Sequence, residues 1–318
     1  MTSNALSSRS LRNHPGAAAV ALAAMTALLA GCSSSSDTSD PLAGDKAAGD
    51  TVVVGSNNFA ESILIADIYG EALKAKGIKV SYKPNIGSRE TTYGLLKNGS
   101  ITVLPEYNGS LLAYLDAKAE QTSLATVNAA VKAKLDSKLT LLESSPAEDK
   151  DSVTVNAATA SKYNLTASST LADLKDVAPK LVLGGSPEFQ TRQQGLLGLD
   201  SVYGLKFKSF KALDAGGPLT QAALKKDTVQ AADIFTTDPT ITKEKFVVLQ
   251  DPKNLFGFAN VTPVVYKSGL SQEGVDALNA VSAKLDTKTL LDLDSQVQLQ
   301  SKDPLDVAKA WLKTAGLG

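Results

Sequence analysis

One cysteine, one histidine and four arginines are all that this 318-residue chain holds of three residue types that often carry site chemistry. The cysteine is Cys32, so no intrachain disulfide can form. The histidine is His14, and it lies in an N-terminal stretch that reads as a removable leader. Without that stretch, and with Cys32 acylated as argued below, the chain has no imidazole and no free thiol. Ser/His/Asp and Cys/His nucleophile systems are thereby excluded, as are zinc sites built on His or Cys. No metal and no cofactor is expected. The sequence also lacks a GxxxxGK phosphate loop, an internal repeat, a heptad run and any apolar stretch long enough to cross a membrane. Its 32 basic residues, two of them in the leader, nearly balance 33 acidic ones, so no concentrated basic face calls for nucleic acid.

What is present begins with the leader. Arg9 and Arg12 precede Ala17 to Ala30, a run apolar except for Thr26 and too short to span a bilayer as a helix. It ends in Leu29-Ala30-Gly31-Cys32, which resembles the lipobox of bacterial lipoproteins. That resemblance implies a signal peptide over residues 1–31, acylation of Cys32, and attachment to the outer face of the cell membrane. Residues 32–50, rich in Ser, Asp and Gly, bury too little apolar surface to fold and read as a tether.

Lysine supplies almost every positive charge, so Arg89 and Arg192 stand out beyond the leader. A guanidinium holds a carboxylate in a planar two-bond fork that an ammonium cannot match. The stretch LVLGGSPEFQTR, residues 181–192, reads as a strand, a Gly184-Gly185 turn, and a helix over 189–203 with Arg192 near its start. Free N–H groups and the helix dipole favour an anion there. Arg192 is thus a candidate for gripping the acidic end of a small ligand, with an exposed ion pair as the plain alternative. Arg89 lies at another strand-to-helix junction, where an ion pair with Glu90 or Glu106 competes with ligand contact.

Periodicity predicts strands at 51–54, 78–83, 101–104, 139–143, 181–183, 207–210, 230–235 and 246–249. Two further strands, 148–156 and 260–266, read as crossings between halves of the molecule. A helix is predicted to start at Asn58, capped by that side chain with Glu61 as reciprocal partner. Others follow Arg89 and occupy 123–138, 171–175, 219–226, 272–285, 289–299 and 304–314. Strands alternating with helices indicate an α/β fold of mainly parallel sheets. The crossings divide it into lobe I (residues 51–152 and 260–318) and lobe II (153–259), joined by a double hinge. Ligands in such sheets sit beyond the C-terminal strand ends, where Ser56-Asn57-Asn58 falls.

The runs VVVGSNNFAESILIADIYGEAL, GSRETTYGLLKNGSITVLPEYNGSLLAYL, SPEFQTRQQGLLGLDSVYGLKF, TTDP and DPKNLFGFANVTPVVY, in this order over about residues 51–315, resemble the substrate-binding proteins of osmoprotectant ABC importers. Those proteins take glycine betaine, carnitine or choline. The resemblance implies a two-lobed type II binding-protein fold, a ligand cleft between the lobes, and a permease and an ATPase as partners of a monomeric receptor. It also implies an aromatic cage around a trimethylammonium group, which has no N–H to donate and is recognised through cation–π contact and shape. Matched by motif, Arg192 in PEFQTR meets the ligand carboxylate, Tyr107 in PEY is a cage ring, and Ser110 with Asn57 or Asn58 assists at the carboxylate. Phe189 in the same run as Arg192, Phe235 just before TTDP, and Phe258 and Asn260 in the last run complete the expected site, together with Arg89, Glu106 and Asp151.

The chain departs from the pattern in three places. Phe235 precedes Thr236-Thr237-Asp238 where family members often have tyrosine in a YSTD-like run. Phe256-Gly257-Phe258-Ala259-Asn260 replaces a PPY-like turn, and the cage position of the first crossing falls near Asp151 or Ser152. Tyr107 with one or two phenylalanines still suits a cation, and Asp151, Glu106 or Glu188 can add charge. The altered set favours a betaine with a second polar group, such as carnitine or ergothioneine, over glycine betaine. Two other readings stay open: a receptor for an amino acid or other small carboxylate, and a carboxylate-pair hydrolase on Glu106 and Glu188.

Overall fold

In the computed structural model, which describes residues 51–318, the first β-branched run forms strand β1 (Val52–Gly55). The leader at 1–31, the tether and Cys32 lie outside the described residues. Helix α1 (Ala60–Ala75) returns the chain to β2 (Val80–Lys83), which pairs parallel with β1. Then come α2 (Arg89–Lys97), β3 (Val103–Tyr107), α3 (Asn108–Leu115), α4 (Leu124–Lys134) and β4 (Leu139–Leu141). A second set follows as β5 (Val153–Val155), α5 (Ala157–Tyr163), β6 (Val182–Gly185), α6 (Leu196–Tyr203) and β7 (Ser209–Ala212). It closes with α7 (Pro218–Lys225), β8 (Ala231–Asp233), α8 (Thr240–Glu244) and β9 (Val247–Val248). Strand β10 (Val261–Tyr266) re-enters the first sheet, and α9 (Gln272–Lys284), α10 (Thr287–Asp294) and α11 (Pro304–Ala315) follow it.

The two sheets have the orders β2-β1-β3-β10-β4 and β7-β6-β8-β5-β9. Each lobe therefore repeats one plan. Both sheets are mixed: two pairings in each are parallel and two antiparallel, because β10 and β5 arrive from the opposite lobe and run against their neighbours. Four of the five strands in each sheet nevertheless run the same way, so the sheets are mainly parallel, as expected, with only the crossing strand reversed. The crossing segments pair with each other, through Asp149 N–H to Ala259 O (3.0 Å) and Val261 N–H to Ala147 O (3.0 Å). Only 153–155 of the expected strand 148–156 is ladder; the rest is this hinge.

Helix α1 is buried on most of its surface, with Leu64, Ile65, Ile68 and Leu73 fully enclosed, since α9 and α11 cover the side that β1 leaves open. Each such side chain contributes roughly 1.5–3 kcal/mol by leaving water. The helix thus holds the β1 end, and the site beyond it, rigidly in place.

Three local expectations change. The residue before α1 is Phe59, with no side-chain cap, so Asn58 does not cap the helix and Glu61 turns inward. The single helix expected over 189–203 is a short turn, Pro187–Gln190, then α6 from Leu196. The chain doubles back between them: a Cβ on Gly195 would lie 2.1 Å from the Phe189 carbonyl oxygen, so only glycine allows it. Arg192 consequently sits in an irregular turn, without the helix dipole argued from sequence. Finally, α10 ends at Asp294 and continues as a π-helical turn, Ser295–Leu299.

Candidate functional site

The ends of β1 and β3, the hinge, and the turns after β6 and β8 converge on a cavity of about 50 Å³ between the lobes. Its small size follows from contacts that draw the lobes together. Arg192 of the second lobe forks onto Glu90 of the first, Nε to Oε1 at 3.1 Å and Nη2 to Oε2 at 2.8 Å. Thr237 donates to Glu61 at 2.5 Å, also across the cleft.

Three aromatic rings line the cavity. Phe59 lies 5.9 Å from Tyr107 and 5.0 Å from Phe235, centroid to centroid, both tilted. Tyr107 is fixed by its hydroxyl, which donates to Glu61 at 2.5 Å. Rings held from the protein side keep their faces available to a cation without further ordering.

Both arginines are already occupied by glutamates. Arg89 is nearly buried and gives Glu106 a fork of three hydrogen bonds at 2.9–3.0 Å, and the Tyr107 N–H adds a fourth at 3.1 Å. Of the alternatives open for Arg89, the ion pair with Glu106 is the one formed. Burial works to raise the Glu90 carboxyl, but Arg192, with Ser88, holds it down at about 2.

The remaining carboxyls form a chain through the hinge. Asp149 accepts from Thr236 Oγ1 (3.2 Å) and Thr237 N–H (3.1 Å). Asp294 lies against Glu61, and no N–H or O–H donor meets either of its oxygens at hydrogen-bonding geometry. Two carboxyls in contact must share a proton. Burial, with the charge of Asp294, pushes Glu61 well above the usual carboxylate range; burial, with the charge of Glu61, does the same for Asp149. Asp151 and Asp233 face the cavity as a second pair, both raised first by burial, with the arginines partly offsetting this.

Of the residues expected from sequence, Asn57, Asn58, Arg89, Tyr107, Ser110, Asp151, Arg192 and Phe235 line this cavity. Asn57 is buried and tied down by Ser62 and Thr92, whereas Asn58 is exposed. Glu106 stands behind Arg89 and reaches the site only through it. Phe189 is in the second lobe's core, stacked on Phe210 at 6.4 Å. Phe258 packs in the first lobe with Lys150 over its ring, because its carbonyl presses on Gly109, where a Cβ would lie 1.6 Å away. Asn260 is a hinge residue, donating to Ser145 O at 3.0 Å. At the turn expected to present Phe258 and Asn260, Gln121 binds the Phe258 N–H and the Gly109 carbonyl, pinning the backbone inward.

Sequence reasoning missed Phe59, Glu61, Asp149, Asp233 and Asp294. Spacing carried a signal for two of them, since Asp149 and Asp233 lie two residues from Asp151 and Phe235 and share their side of an extended chain. Nothing in the sequence pairs Asp294 with Glu61. Among the described residues, no group of three or more His, Cys, Asp or Glu is placed to hold a metal ion, and no helix is long and apolar enough to cross a membrane.

A family model described as the substrate-binding domain of ABC-type glycine betaine transport systems matches residues 50–314. The glycine betaine-binding protein YehZ of Escherichia coli K12 is 29% identical over 280 residues, 83% of this chain and 90% of that protein. The glycine-betaine-binding protein of Pseudomonas aeruginosa PAO1 is 26% identical over 276 residues, 83% of this chain and 88% of its own length. A solved structure described as a glycine betaine/carnitine/choline ABC transporter aligns with a TM-score of 0.65 at 24% identity, over 84% of this chain and 99% of that one, a likeness of fold.

Proposed function

The chain belongs to the family of substrate-binding domains of ABC-type glycine betaine transport systems, and from that membership we propose that it is the extracytoplasmic receptor of an importer for betaine-type quaternary ammonium solutes. The observation that carries the reading is the convergence of Phe59, Tyr107 and Phe235 on the cavity between the lobes. An ammonium bearing only methyl groups offers no hydrogen bond and is held by ring faces and shape. Solute enters between the lobes, contacts from both sides favour the closed form, and a membrane permease powered by an ATPase reads that form. The receptor acts as a monomer tethered through acylated Cys32, which the Leu29-Ala30-Gly31-Cys32 run supports.

The amino-acid alternative would leave the cleft without converging aromatic faces; Phe59, Tyr107 and Phe235 do converge there, and this favours the quaternary cation. The hydrolase reading loses its acid, since Glu106 is fully engaged by Arg89.

Calorimetric titration of the purified protein with glycine betaine, choline and carnitine tests the reading; absence of binding by all three would remove it. Phe235→Ala is expected to weaken the best of these ligands by about 3- to 30-fold, the range for one lost cation–π face. An unchanged affinity would mean that the ring lies outside the cation site.

A further inference from the structure

Asp233 ends β8 with its Cα opposite Val153, and the ladder runs on into the hinge through Ile234 N–H to Ser152 O (3.2 Å) and Thr236 N–H to Lys150 O (2.9 Å). That continuation brings Asp151 alongside Asp233 and opposite Phe235, and all three side chains line the cavity. Asp233 is 2% exposed, and its Oδ1 has no hydrogen-bond partner. Arg192, whose charge acts on both Asp233 and Asp151, is bound to Glu90, and Arg89, which acts on Asp151, is bound to Glu106. The cleft therefore presents ring faces for a cation and, next to Phe235, a buried carboxyl oxygen waiting for a donor.

Glycine betaine cannot supply that donor, because a trimethylammonium and a carboxylate contain no N–H or O–H. Closing the lobes over it would leave Asp233 Oδ1 with no donor from the ligand. A ligand with a hydroxyl or N–H a few bonds from the quaternary nitrogen removes the defect. Sites built around such a hydrogen bond reject analogues that lack it far more strongly than apolar pockets reject a change of size.

Building on the betaine-type reading above, we infer that Asp151 and Asp233 form an acceptor subsite that selects quaternary ammonium compounds carrying an O–H or N–H donor over glycine betaine. Neither residue is offered as a general electrostatic attractor; Asp233 accepts the hydrogen bond and Asp151 positions it.

Choline and its O-methyl ether differ in the donor alone, and calorimetric titration with these two and glycine betaine gives the test. In the wild-type protein, choline is expected to bind at least tenfold tighter than either other compound. Asp233→Leu, branched at the same carbon but unable to accept, should bring the choline to ether ratio within threefold, with circular dichroism verifying its fold. Equal affinity for choline and its ether in the wild type overturns the subsite, even if the variant fails to fold. A ratio that persists in a folded Asp233→Leu variant overturns it too. Binding by none of the three overturns the betaine-type reading itself, and the subsite with it.

Discussion

Asp294→Asn is expected to make the protein more stable at pH 8 while leaving it nearly unchanged at pH 5. Burial lifts the Asp294 carboxyl from 3.8 to about 8, the charge of Asp149 adds to this, and the contact with Glu61 works against it. Because the folded value is raised, the native chain keeps a proton that the unfolded chain has released once the pH exceeds about 4. Stability is therefore greatest below that point and falls as the pH climbs towards 8. Each unit of displacement corresponds to about 1.4 kcal/mol. Asparagine has no proton to lose and can donate its amide N–H to Glu61, so the gain at pH 8 should be on the order of 3 kcal/mol after relaxation of the neighbours. Glu61, Asp149, Asp238, Tyr107 and Gln298 surround the group and stay in place in the variant. Urea unfolding at pH 5 and pH 8, followed by circular dichroism, reads the effect. Wild-type stability that rises over this interval, or a variant destabilised equally at both values, would show that no proton is shared.

Opposite changes are expected from the two ends of the cross-cleft ion pair. Glu90→Gln removes the carboxylate that occupies the Arg192 fork in this conformation. A ligand carboxylate then meets the guanidinium without displacing a competitor. The pair is partly exposed, so its own strength is about 1 kcal/mol or less, and carboxylate-bearing ligands such as glycine betaine and carnitine should tighten by about fivefold. Arg192→Lys removes the fork itself. Hydrogen bonds to charged groups contribute about 1.5–3 kcal/mol, so the same ligands should weaken by about 10- to 100-fold. Choline, having no carboxylate, should change by no more than about twofold in either variant. Should choline shift in step with glycine betaine, the pair governs only lobe closure and Arg192 does not touch the ligand.

The two predictions meet in one feature: closure of this cleft is written in carboxyl groups. Glu90 bridges one rim through Arg192, Glu61 bridges the interior through Thr237, and Asp149 ties the hinge to the turn after β8. Acid lowers the charge of the interior cluster, and the same protons are absent from the rim pair until the pH approaches about 2. The rim carboxyl is held down by its arginine while burial raises the carboxyls of the interior, so the two parts of the closure respond to pH in different ranges.

Much of the site was legible because it sits where strands end. Tyr107 ends β3, Phe235 follows β8 and Asn57 follows β1, so the alternation of strand and helix was enough to collect them at strand ends. Arg192 was singled out by rarity and does line the cavity, although for a different local reason, a turn closed by Gly195 rather than a helix start. Phe258 and Asn260 illustrate the limit: motif position placed them at the cleft, but Gln121, more than a hundred residues away in sequence, anchors that turn from behind.

By itself the sequence determined the class of chemistry. With no histidine or cysteine in residues 51–318 and an ordered series of short strands and helices, the chain reads as an α/β fold without His- or Cys-based chemistry, and the runs it shares with the binding-protein family add the receptor, since strand-helix alternation, residue scarcity and short motifs are local properties. Which arginine is free, which rings meet, and which acids share protons were decided only in three dimensions. Glu106 and Glu90 fill the guanidinium forks, Phe59 joins Tyr107 and Phe235, and Asp294 comes to Glu61 across most of the chain. Such pairings depend on burial and on long-range approach, and neither is encoded in the spacing of neighbouring residues.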